Sequence, residues 1–214
     1  MRLRNFLLLC FALFLTVSFL DAKSSTKVSK EEGPPVCTAS DKEYNVGDMG
    51  PAGGIIFYDK GFVSGGSSDG KCWRYLEEAP SDQEGHLWSN LTNNALVLST
   101  ETYIGSGYMN TLKIITQNKH ATSAAKICHD LIVKNGDATF NDYFLPSRSE
   151  LTALCNRRPS CAGTDTKKGL SYGPILWSSS EFSATDAYVA PENLQGGGHM
   201  SKKYEYVFVC IRAF

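Results

Sequence analysis

Asn141–Leu154 reads NDYFLPSRSELTAL. Its first residues are aromatic and extended in character. Pro146 disfavours helical backbone at Leu145, so the chain turns there. Ser147 and Glu150 follow at capping-box spacing. The Ser147 hydroxyl can accept from the Glu150 amide while the Glu150 carboxylate reaches back to the Ser147 amide. Leu151 and Leu154 then form one apolar face of a short helix. The stretch therefore predicts a strand-like entry, a corner and a helix start, and it carries no chemistry of its own.

Downstream, Cys155–Gly173 reads CNRRPSCAGTDTKKGLSYG, a loop that Cys155–Cys161 would tie. Arg157, Arg158, Lys167 and Lys168 face only Asp165 there, a local basic excess. Leu176–Ser183 reads as a strand, DAYVAP as a second, and NLQGGGHM as a turn. The final run, YEYVFVCIRAF from Tyr204 to Phe214, alternates two apolar sets. Tyr206, Phe208 and Cys210 face one way, and Val207, Val209 and Ile211 the other. A strand apolar on both faces is a central one.

Upstream, Ala124, Ile127, Cys128, Leu131 and Ile132 lie at helical spacing, predicting a helix from about Ala121 to Lys134. Asn135-Gly136 would cap it in the left-handed conformation. A preceding helix is expected over Thr111–Gln117, burying Leu112, Ile114 and Ile115. Residues 81–108 read as mostly irregular. Asn90-Leu91-Thr92 matches the N-glycosylation sequon. Gly50, Pro51, Gly53 and Gly54 form a turn-rich approach to a strand at Ile55–Tyr58. That strand would pair with Lys71–Pro80 as an antiparallel hairpin across a loop at 64–70. Glu77 and Glu78 resemble a catalytic pair only on paper, because adjacent strand residues point to opposite faces.

The chain has 214 residues, 42% hydrophobic and 20% charged, values of an ordinary globular domain. A net charge of −1 argues against nucleic acid as a partner. Arg2 and Arg4, an apolar run from Phe6 to Leu20, and Ala22 describe a secretory signal peptide. The run is short for a membrane span. Cleavage is expected after Ala22, leaving a Ser-, Lys- and Pro-rich leader over 23–43 and a domain over 44–214. Cys37, Cys72, Cys128, Cys155, Cys161 and Cys210 remain. An even set in an exported chain favours disulfides over metal binding, with connectivity open.

The segments GDMGPAGGIIFYDKG, LEEAP, NDYFLPSRSEL, LWSSSEFS and VFVCIRAF occur in that order. In combination the chain resembles the DUF1566 family, named also for the C-terminal domain of the Legionella collagen-like adhesin. The resemblance covers about Tyr44–Phe214. It implies an α+β fold that is C-type-lectin-like, with two helices packed on a small, mostly antiparallel sheet and long loops. It also implies a Cys128–Cys210 clamp, which leaves Cys155–Cys161 and Cys37–Cys72 as the other pairs.

That resemblance implies an exported, adhesin-like binding module rather than an enzyme. Its partner would be a glycan or an extracellular-matrix ligand, with self-assembly into a homo-oligomer open. Trp88 and Trp177 offer rings to stack on sugars, although tryptophan more often fills the core. Arg157, Arg158, Lys167 and Lys168 could hold anionic glycans. The calcium triplets of sugar-binding lectins are missing: Pro191-Glu192-Asn193 has the wrong order, and Trp88-Ser89-Asn90 is a poor substitute for Trp-Asn-Asp. No cofactor is expected, and His86, His120, His129 and His199 show no metal spacing. The alternatives are a structural envelope protein and, more weakly, an oxidase like the sulfatase-modifying enzymes. Cys155 and Cys161 do not match the cysteine spacing of that last class.

Overall fold

The computed structural model describes residues 42–61, 72–91, 96–97, 99–158, 161, 174–190 and 198–214. In chain order these form β1 (Ile56–Asp59), β2 (Tyr75–Glu78), β3 (Gln83–Leu87), α1 (Gly107–Ile115), α2 (Ala124–Asp130), β4 (Val133–Asn135) and β5 (Ala138–Phe140). There follow α3 (Arg148–Cys155), β6 (Leu176–Glu181), β7 (Asp186–Ala190), β8 (His199–Ser201), β9 (Glu205–Phe208) and β10 (Ile211–Ala213). The fold is α+β. The expected signal peptide, most of the leader, and Lys167 and Lys168 lie outside the described residues.

α3 starts at its capping box. Ser147 Oγ accepts from the Glu150 amide at 3.3 Å, and the Glu150 carboxylate accepts from the Ser147 amide at 2.6 Å. Leu151 and Leu154 are buried on its inner face.

The terminal run joins two sheets. β9 lies inside a five-stranded sheet ordered β3-β9-β6-β7-β8, and β10 pairs with β2 in a three-stranded sheet ordered β1-β2-β10. Only the β6–β9 pairing among these is parallel, touching at Leu176 and Val207. Ile211 also exchanges backbone bonds with Phe144, so β10 is flanked on its other side. The alternation read from the sequence sorts the side chains between two cores. Phe208 and Cys210 are buried with Trp177, Trp88 and Ile114, and Tyr206 packs against that cluster. Val209 and Ile211 are buried with Leu76, Leu151, Leu154 and Leu176, with Val207 beside them. Instead of the single strand expected, the run breaks at Val209 and Cys210 into β9 and β10, and together they divide the apolar interior, which is why both faces are apolar.

Cys128 of α2 is bonded to Cys210, with Cα atoms 5.2 Å apart and a sequence separation of 82. Closing a loop of that length lowers unfolded-chain entropy by roughly 4 kcal/mol. Cys155 and Cys161 form a second, short-range bridge. Cys72 is disulfide-bonded too, and its expected partner Cys37 lies outside the described residues.

Four further expectations are corrected. There are three helices and three sheets among the described residues, rather than two helices on one sheet. α1 begins at Gly107, not Thr111, and buries Asn110 and Thr111 as well as Ile114. α2 is capped by Ser123 and stops at Asp130, with Leu131 already extended. Asn135-Gly136 therefore caps no helix. Asn135 pairs with Ala138 across Gly136 and Asp137, and Gly136 has φ +58°. Glycine with positive φ at the first central position is the signature of a II′ hairpin turn. The β-branched Ile132 and Val133 favour that outcome over a longer helix, and Ile132 is exposed. Finally, β3 falls in the segment read as irregular; Gly85 and its charged neighbours mask it, and backbone pairing to β9 makes it a strand.

Candidate binding cleft

The Gly-rich turn before β1 is wound around one carboxylate. Glu77 of β2 is fully buried, and its Oε1 accepts from the amides of Ala52 at 2.9 Å and Gly54 at 3.0 Å. A Cβ on Gly50 would collide with that carboxyl group, and one on Gly54 with the Glu78 carbonyl. The glycines are there because another group occupies the side-chain space. Glu78 points elsewhere, toward Arg158 at 3.7 Å, so the two carboxylates do not converge.

Arg212 of β10 binds the other oxygen of Glu77 at 3.1 Å. The same guanidinium grips Asp142 bidentately, Nε to Oδ1 at 2.8 Å and Nη2 to Oδ2 at 2.9 Å. Burial alone would disfavour the Arg212 charge, but Asp142 and Glu77 outweigh it and raise its pKa. Burial raises the Glu77 carboxyl, with Arg212 and the Gly54 and Ala52 amides opposing.

Beside this network lies a cleft of about 90 Å³. Trp73, Tyr108 and Phe144 give it aromatic walls, Leu76 and Ala213 add apolar surface, and Asp142 and Glu150 are its carboxylates. Cys72 and Gly105 complete the lining. Tyr108 and Phe144 meet edge to face with centroids 6.0 Å apart. The Asp142 side chain is 39% exposed, while Glu150 is fully enclosed. Burial raises the Glu150 carboxyl, against the hydrogen bonds it accepts from Ser147, Gly105 and Gly107.

The residues expected to bind a ligand are scattered. Trp177 is fully buried; its Nε1 donates to the His86 carbonyl at 3.0 Å and its ring meets Tyr206 edge on. Trp88 is buried also, donating to the Ser178 carbonyl at 2.8 Å. Both rings fill the core, so neither presents a face for a sugar. Arg157 is exposed, whereas Arg158 is engaged by Asp82 at 2.6 Å. Arg158 is thus not brought to the surface as a spare charge. The sequon residue Asn90 is a structural tie: its Oδ1 accepts from the Ala121 and Thr122 amides, and its Nδ2 donates to the Lys119 carbonyl.

Sequence reasoning passed over Asp142, Arg212 and Lys202, and weighed Glu77 only as half of a catalytic pair with Glu78. Lys202 is fully buried against the Glu181 carboxylate and the Ser183 and Ala184 carbonyls, 4.3 Å from the Trp88 ring centroid. For Arg212 there was a signal: a guanidinium between Ile211 and Ala213, in an otherwise apolar strand, needs a buried partner. No comparable signal marks Asp142, which only the corner at Phe144 brings to Arg212.

No group of three potential metal ligands occurs among the described residues. No family model matches the chain, and no curated protein or solved structure matches it.

Proposed function

We propose that this protein is an exported, adhesin-like binding module and that the cleft beside Arg212 is its recognition site. One observation supports this above the others. The cleft combines three aromatic walls with carboxylates already committed to a guanidinium and to backbone amides. Groups held in this way present fixed shape and charge, as binding sites do. Export is read from the basic and apolar N-terminus, and disulfides suit an oxidising compartment.

The C-type-lectin-like fold and membership of the DUF1566 family belong to the same proposal. They are supported by the motif order, by β9 inside the five-stranded sheet, and by the Cys128–Cys210 link from a helix to the connection between β9 and β10. The anionic-glycan version rests on Arg157 with Lys167 and Lys168, since Arg158 already has acidic partners. A pull-down against matrix, mucus and envelope glycans at low and high salt tests the module. Retention that survives filling of the cleft but collapses with salt would move recognition to the basic loop. Absence of retention on any of these surfaces would overturn the adhesin reading.

A further inference from the structure

We infer that the cleft takes an ammonium group, either the N-methylated head of a small molecule or the side-chain amine of a lysine. The inference rests on the binding-module reading and names the ligand class for that site.

The lining residues decide the sign of the ligand. Trp73, Leu76, Tyr108, Phe144 and Ala213 give aromatic and apolar walls, and Asp142 and Glu150 give carboxyl groups, with no cationic side chain among the described lining residues. A ring presents a negative face, so aromatic walls and carboxylates both attract cations. Charge is unbalanced in the same direction. Among the described residues Arg212 serves both Glu77 and Asp142, so one guanidinium faces two carboxyl groups. Asp142 is the half-exposed member, and each of its oxygens has a lone pair beyond the one given to Arg212.

The protein already uses one of these walls in this way. The Lys60 ammonium stands over the Trp73 ring, 3.9 Å from its centroid.

The experiment titrates the full-length protein with tetramethylammonium, with N-acetyl-lysine methylamide, with the neutral isostere 3,3-dimethylbutan-1-ol, and with methyl glucoside. Heat and tryptophan fluorescence are followed, and the two cationic probes distinguish the sources. At least one cation should bind at millimolar concentration, and the neutral isostere should bind at least about tenfold more weakly. Asp142→Asn should weaken the cation about tenfold. Ala213→Met, which fills the cleft and leaves both carboxyl groups in the chain, should abolish binding while the melting temperature holds. Equal binding of the isostere, or cation binding that survives Ala213→Met, would overturn the inference. Methyl glucoside binding that Ala213→Met removes, with both cations inert, would overturn it too while leaving the binding module intact. Loss of matrix retention by the unmodified protein would instead strike the module itself.

Discussion

Gly107, the first residue of α1, lies directly against the carboxylate of Glu150 on α3. α1 has no side-chain cap of its own at Ser106 and no acidic residue in its first turn. Glu150 supplies both from a different helix. It accepts from the Gly105 amide at 2.8 Å and from the Gly107 amide, while completing the capping box of α3. One buried carboxyl group therefore satisfies amides at two helix N-termini.

Gly107→Ala follows from this contact. Helix propensity alone would reward alanine by about 1 kcal/mol. A Cβ there would run into Glu150 Oε2, the Leu145 carbonyl and the Phe144 ring, none of which can yield cheaply. A net loss of about 2 kcal/mol is expected, read as a lower urea midpoint. An unchanged or higher midpoint would contradict the shared cap.

The pH dependence of Glu150→Gln has a defined sign. Burial raises the Glu150 carboxyl above its usual 4.5 in the folded state. Its neutral form is therefore favoured by folding, and that contribution is fully present below the unfolded value and lost as pH rises through the folded one. Glutamine loses acceptor capacity but never ionises. The variant should be less stable than the parent at about pH 4 and the gap should narrow toward pH 7, measured by urea unfolding. A gap that widens with pH would show that the ionised form is the favoured one.

Arg212→Met tests the buried network. Leaving Glu77 without its guanidinium should cost about 3–5 kcal/mol, the range for an orphaned buried charge. In a Glu77→Gln background the same change should cost clearly less, because the uncompensated charge is gone while an oxygen remains for Ala52 and Gly54. A double-mutant cycle reads the coupling. Strict additivity would mean that Arg212 acts through Asp142 or through packing rather than through Glu77.

The two bridges should differ in weight. Replacing Cys128 and Cys210 by alanine opens a loop closed across 82 residues, against 6 for Cys155 and Cys161. Loop entropy predicts losses of roughly 4 and 2 kcal/mol respectively. Denaturant midpoints of the two double variants should fall in that order, and the reverse order would point to local packing around Cys155.

Much of this architecture was readable along the chain. The capping box at Ser147–Glu150 is a local pattern, and it places α3 because its partners are three residues apart. The terminal alternation sorts Phe208 from Val209 because a strand has a period of two, whatever surrounds it. Local pattern failed where two outcomes share one signal. Asn-Gly closes a helix or a hairpin, and the choice at Asn135 fell to the pairing of Val133 with Phe140. Trp88 and Trp177 look the same in sequence whether they face solvent or the core.

The residues by themselves determined an α+β chain with a signal-like N-terminus, an even set of cysteines after it, and a final extended run apolar on both sides. Those properties depend on composition and on neighbours a few positions apart. Only the tertiary structure decided that Asp142, Glu77 and Arg212 meet, that Glu150 serves two helices, and that a cleft opens between Trp73 and Phe144. The Glu77–Arg212 contact spans 135 residues of sequence. No spacing rule reaches that far, because such partners are chosen by the packing of whole sheets.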